Sequence, residues 1–156
     1  MLSAPPTLFT AGKIMTTDVV SVGPDTSIEE VADLLEEYRV SGLAVVDDQQ
    51  RLLGVVTEYD LLQGIASLRM RGKAIDFMTS EVAAVDEDAC LPELARIFAS
   101  TRVRRLPVTS AGKLIGVISR RDLIFAGRIR QHLLMDLPTC SDVPPGENPV
   151  CQFNSS

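Results

Sequence analysis

Apolar and polar positions alternate along this chain in two different periods, and the same succession of periods occurs twice. Short β-branched runs from Val19 to Val22 and from Val82 to Val85 each lead into a turn rich in Asp, Glu, Gly or Pro, which predicts strands. After the first run, Ile28, Val31, Leu34, Leu35 and Tyr38 recur at i, i+3, i+4 spacing and predict an amphipathic helix. Its polar face holds Glu29, Asp33, Glu36 and Glu37, and Asp25 or Thr26 is placed to cap it. After the second run, Leu91, Leu94, Ile97 and Phe98 repeat that apolar face, with Pro92 acceptable inside the first turn. Two strands are expected next in each half, Leu43 to Val46 and Leu52 to Val56, then Leu106 to Thr109 and Leu114 to Ile118, joined by polar turns. A second helix opens at Thr57 or Ser119, and a further apolar stripe, Ile124, Phe125, Ile129, Leu133 and Leu134, extends the helical pattern beyond the second.

The two halves are a duplication. Residues 14–62 align with 77–124 at an offset of 63 that drops to 62 after one extra residue near Gln50. Identical pairs include Asp25/Asp88, Glu30/Glu93, Arg39/Arg102, Val45/Val108, Gly54/Gly116 and Asp60/Asp122. Each copy reads β-α-β-β-α over about fifty residues, with a half-covered sheet that cannot bury both faces alone, so the copies are expected to pack against each other as an α/β (α+β) fold. The implied organisation is an extension over 1–13, repeat 1 over 14–66, a linker over 67–76, repeat 2 over 77–127, and a terminal helix with an aperiodic, disordered tail over 128–156. The linker carries Arg69, Arg71 and Lys73 around a glycine.

Composition narrows the function. The chain has 156 residues, 46% hydrophobic and only 4% aromatic, which suits an aliphatic core in one compact unit. Its formal net charge of −6 has the wrong sign for tracking a phosphate backbone, so nucleic-acid binding is not expected. That charge is uneven. Residues 14–62 hold 2 basic and 11 acidic side chains, whereas 77–124 hold 7 basic and 6 acidic ones. No stretch reaches the roughly 18 apolar residues that cross a bilayer, and no targeting signal is visible, so no membrane partner is expected. Cys90, Cys140 and Cys151 are odd in number and lack metal or redox spacing, which points to a reducing, cytoplasmic setting.

The most specific chemical pattern is Gly54-Val55-Val56-Thr57-Glu58-Tyr59-Asp60, matched by Gly116-Val117-Ile118-Ser119-Arg120-Arg121-Asp122. Each string places a hydroxyl where a strand becomes a helix and an acid three residues later. One reading is purely structural, a hydroxyl cap with an acid favoured by the helix dipole. The other is functional: open N–H groups at a helix start attract phosphate, and a carboxylate accepts the hydroxyls of a ribose. The glycine before the hydroxyl would let a ligand approach the strand backbone. A second constellation, Val103-Arg104-Arg105-Leu106, enters the central strand of repeat 2, where alternation would send the two guanidinium groups to opposite faces and one of them toward phosphate. The first copy has the small, uncharged Ser41-Gly42 at that place, so the two clefts are chemically unequal.

Tandem repeats that begin Ile-Met-Thr or Phe-Met-Thr and end Gly-h-h-[Ser/Thr]-x-x-Asp, where h is hydrophobic, resemble a CBS-domain pair, the Bateman module, over residues 14–127. The resemblance implies two halves packed with pseudo-twofold symmetry, two clefts for adenosine compounds such as AMP, ADP, ATP or S-adenosylmethionine, a homodimeric disc, and a regulatory role without catalysis. Carried over position by position, it assigns Thr57, Tyr59 and Asp60 of repeat 1 to the main cleft, together with Thr79, Ala83, Arg104 and Arg105. The second cleft takes Ser119, Arg121 and Asp122 with Thr16, Val20 and Ser41. Tyr59 departs from the family, which often has a small hydroxyl residue there. No cofactor is required beyond the nucleotide ligand, and magnesium would arrive only with a nucleoside triphosphate.

Two other classes stand beside the regulatory reading. In a ligand-free dimeric scaffold the same motifs would serve only as helix caps. An enzyme is disfavoured because His132, the only histidine, lies outside both clefts, and because Gly12-Lys13 lacks the rest of a phosphate-binding loop. Cys90 aligns with Ser27 at a helix start and reads as a small buried or capping residue.

Overall fold

The computed structural model describes the backbone of residues 9–133 and 150–153 and the side chains of residues 9–126. The expected tail from Pro138 and the expected positions of His132, Cys140, Leu133 and Leu134 lie outside the described side chains. Within the tail, however, Val150–Phe153 forms a strand, β7. Elements follow the order α1 (Ala11–Ile14), β1 (Ser21–Val22), α2 (Ile28–Tyr38), β2 (Gly42–Val46), β3 (Leu52–Thr57), α3 (Glu58–Ala66), α4 (Ala74–Phe77), β4 (Val82–Asp86), α5 (Leu91–Ser100), β5 (Arg105–Ser110), β6 (Lys113–Ser119) and α6 (Arg120–Leu133). Each copy is therefore β-α-β-β-α, in a mixed α+β fold.

The chain forms two compact units, and they do not coincide with the two copies. Among the described residues, one comprises Val19–Val82 with Gly112–Leu114, and the other comprises Ala83–Ala111 and the chain from Ile115 through α6, joined by α1 and the residues up to Asp18. In the first unit β1 runs parallel to β2, with Ser21 opposite Ala44, and β2 is antiparallel to β3, with Gly42 opposite Thr57. Its core packs Ile28 and Val31 of α2 against Leu43 and Val45 of β2, Val56 of β3 and Ala74 of α4. Each of these Ile, Val and Leu side chains contributes roughly 1.5–3 kcal/mol when fully buried. The second unit carries the strand order β6-β5-β4-β7, with β4 parallel to β5, over a core of Val85, Leu94, Leu106, Val108 and Ile118 with Ala11 of α1.

One local expectation changes. Ser27, not Asp25 or Thr26, caps α2, its hydroxyl accepting from the Glu30 N–H at 3.2 Å, while Thr26 instead accepts from the Gly23 N–H at 3.1 Å and closes the preceding turn. Ile124 and Phe125 face outward, 64% and 66% exposed, because Leu123 and Ala126 are the α6 residues turned to the core.

The short helices α1 and α4 were not foreshadowed by periodicity, being a single turn each. They are equivalent at the offset of 63 and are held the same way. The Ala11 and Gly12 N–H groups donate to Ala89 and Glu87 carbonyls, both at 2.8 Å. Ala74 and Ile75 donate likewise to Thr26 at 2.8 Å and Pro24 at 3.1 Å. Ala11 and Ala74 are fully buried, so each turn is anchored by one small side chain and two backbone bonds. Gly12-Lys13 thus belongs to a packed helical turn.

Candidate ligand site

The first unit positions Thr57 where β3 passes into α3. The Thr57 N–H donates to Asp60 Oδ2 at 2.8 Å, the Thr57 hydroxyl donates to the same oxygen at 2.9 Å, and the Asp60 N–H donates back to Thr57 Oγ1 at 3.3 Å. This is a complete capping box. Both bonds to the carboxylate fall on Oδ2, and Oδ1 has no partner among the described residues. Asp60 is half-buried, so that second oxygen is held in a fixed direction with its accepting capacity unused. Tyr59 is 65% exposed.

Thr79 is brought to the same place. It pairs with Val55, two residues before Thr57, through Val55 N–H to Thr79 O at 3.0 Å and Thr79 N–H to Val55 O at 2.9 Å. Gly54 makes this pairing possible: a Cβ there would lie 2.5 Å from the Thr79 carbonyl oxygen and 3.0 Å from Met78 Sδ. The glycine expected to admit a ligand to the strand backbone therefore admits the chain's own Met78-Thr79 segment. The same holds at Gly116, whose Cβ would overlap Met15 Sδ and stand 3.0 Å from the Thr16 carbonyl. Ser41 is also local to this unit's site, its carbonyl accepting from the Glu58 N–H at 2.9 Å. Val20 is half-buried against the core of this unit.

The second unit repeats the arrangement with one bond fewer. Ser119 N–H donates to Asp122 Oδ2 at 2.9 Å and Asp122 N–H donates to Ser119 Oγ at 3.2 Å. Thr16 pairs with Val117 by two backbone bonds, 2.9 and 3.0 Å, as Thr79 does with Val55. Arg121 is exposed at the start of α6. Ala83 is half-buried on β4. Arg105 opens β5, but Arg104 lies before it, so strand alternation does not govern the pair, and both are exposed. The Arg104 carbonyl accepts from the Arg120 N–H at 3.3 Å, which places Arg104 against the Ser119–Asp122 turn. Cys90 starts α5 buried and without a side-chain cap bond, as a small core residue would.

In each unit, then, a Met-Thr segment, a strand-to-helix turn and a half-satisfied aspartate meet. With the N–H groups of Thr57, Glu58 and Asp60 and the Thr57 hydroxyl already engaged, the oriented carboxylate oxygen is the group left to accept from the hydroxyl of a polyol. Among the described residues no group of three or more His, Cys, Asp or Glu side chains is placed to hold a metal ion, and no helix is long and apolar enough to cross a membrane.

Comparison with known proteins places this architecture. An inosine-5'-monophosphate dehydrogenase from Methanocaldococcus jannaschii is 33% identical over 116 residues, which span 73% of this chain but only 23% of that protein. A 17.7 kDa protein from Acidianus ambivalens is 32% identical over 148 residues, 89% of this chain and 86% of the relative. The crystal structure of CBSX2 in complex with AMP, a protein of Arabidopsis thaliana, superposes with a TM-score of 0.69 at 36% identity, covering 79% of this chain and 98% of that one. The CBS-domain model matches twice, over residues 11–67 and 74–128, and with both copies of the strand-to-helix turn in place the chain belongs to the CBS-domain family as a tandem pair.

Proposed function

We propose that this CBS pair is a regulatory module that binds an adenosine-containing ligand and is not itself an enzyme. The observation that carries the reading is Asp60: its Oδ2 is consumed by the Thr57 cap while Oδ1 remains free to accept from a ribose hydroxyl. The likeness to CBSX2, whose structure holds AMP, supports it. Thr57, Tyr59, Asp60 and Thr79, all of the first unit, would form the ribose side of the main site. Thr16, Ser119, Arg121 and Asp122 of the second unit would form a second, weaker site. Magnesium enters only as a companion of a triphosphate.

The module would act by population shift. A ligand that binds one conformation a hundredfold more tightly than another shifts their balance by about 2.7 kcal/mol, enough to change a partner's affinity or the module's own assembly. Outward-facing apolar side chains favour a homodimer as that assembly: Tyr59, Leu62 and Ile65 on α3 and Ile124 and Phe125 on α6 are each more than half exposed. The cysteine pattern fits a cytoplasmic protein. Calorimetric titration with AMP, ADP, ATP and S-adenosylmethionine tests the reading; saturable heat lost in Asp60→Ala is expected. The same dimer without any ligand response would instead make the module a scaffold.

A further inference from the structure

A groove of about 740 Å³ opens beside Asp60, entirely within the first unit, between the C-terminal half of α3, the linker that follows it, and α4. Its walls include Gln63, Ser67, Arg69, Arg71 and Phe77 as well as Asp60. The equivalent groove beside Asp122 is about 340 Å³, and its walls among the described residues are Phe9, Ile14, Arg121, Phe125 and Ala126.

The cations of the wide groove are held open by the backbone. The Arg69 N–H donates to the Gly64 carbonyl at 2.7 Å and the Leu68 N–H to Ile65 at 3.1 Å, a Schellman closure with Leu68 left-handed at φ 60°. That closure reverses the chain so that Arg69 and Arg71 return along the helix they follow. Lys73, the third linker cation, is tied to Asp25 at 3.1 Å, whereas neither Arg69 nor Arg71 pairs with a carboxylate among the described residues. Asp76 is already engaged, accepting from the Lys73 N–H at 2.9 Å. Two unpaired guanidinium groups on the linker, with the Gln63 amide as a neutral donor, match the oxygens of a phosphate chain.

We infer that the ligand of the Asp60 site is a nucleoside polyphosphate, whose terminal phosphates lie on Arg69 and Arg71 in this groove. The inference rests on the reading of Asp60 as a ribose acceptor and adds to it a preference for di- and triphosphates over monophosphates. The test is titration of the full chain with ATP, AMP and adenosine, for wild type and for the double variant Arg69→Gln with Arg71→Gln, whose folding is checked by thermal unfolding. At least a tenfold loss of ATP affinity with AMP and adenosine unchanged is expected, since charge-assisted bonds are the stronger class. Equal losses for all three ligands, or unchanged ATP binding, would overturn the inference and leave the Asp60 reading standing. No binding of any adenosine compound to the wild type would overturn both.

Discussion

Replacing Gly54 by alanine tests how the Met-Thr segment is seated. The added Cβ would stand 2.5 Å from the Thr79 carbonyl oxygen and 3.2 Å from its carbonyl carbon. Nonbonded heavy atoms meet near ~3.5 Å, so the Thr79 backbone must retreat by about 1 Å. Both bonds of the Val55–Thr79 pair, now 3.0 and 2.9 Å, then leave hydrogen-bonding range. Their net loss is about 1–3 kcal/mol at roughly 0.5–1.5 each, in line with the ~1–3 kcal/mol typical of overpacking. Alanine gives back about 0.4–1 kcal/mol by restricting the unfolded chain. The expected destabilisation is therefore about 1–2 kcal/mol, or a fall in Tm of roughly 2–8 °C for a chain of this size. Urea unfolding and scanning calorimetry measure it, with Gly23→Ala as control. At Gly23 a Cβ would meet only Thr26 Oγ1 at 3.9 Å, so that variant should match the wild type. A Gly54→Ala protein as stable as the wild type, or a Gly23→Ala protein equally destabilised, would refute the reasoning.

The remaining predictions concern strain and assembly. Arg39 ends α2 at φ 52°, with Val40 N–H bonded to the Leu35 carbonyl at 3.1 Å, so Arg39→Gly should raise stability by about 1 kcal/mol in urea titration. Ala111, exposed at φ 52° beside Gly112 at φ 80°, occupies a turn that wants left-handed residues, and Ala111→Gly should raise the urea midpoint by a similar amount. Leu62→Asp combined with Ile124→Asp should leave Tm within a few degrees but halve the mass seen by light scattering, since both side chains are more than half exposed. An unchanged mass would remove α3 and α6 from the dimer proposal.

Most of the fold was legible because the period changes are sharp and occur twice. Ile28, Val31 and Leu35 are buried as their spacing required, and Thr57 caps α3 as its position before Asp60 implied. What periodicity missed has identifiable causes. Helices of four residues, α1 and α4, are too short to show a period, though the shared Ala-x-x-[Ile/Phe]-Met-Thr string at the offset of 63 marks them. The cap of α2 fell one residue later than expected because several hydroxyl and carboxylate side chains stand in a row, and only the chain path decides which reaches the helix. The stripe that includes Ile124 and Phe125 marks a helix, but an apolar residue on a helix reports hydrophobicity and not which way it turns, and these two face outward. The role of Gly54 was misjudged for a deeper reason: a glycine announces a close approach without saying by what, and here the neighbour comes from a segment twenty-five residues downstream. For the same reason the units that interleave distant segments could not be read from a pattern that is local.

Titration of the wild type and of Asp60→Ala with AMP, ADP and ATP tests the central claim most directly. The account predicts saturable heat for the wild type that is lost in Asp60→Ala, while the variant stays folded with a loss of only about 1–2 kcal/mol from the Thr57 cap. Absence of heat at millimolar concentrations of every nucleotide, or identical binding by Asp60→Ala, would contradict it.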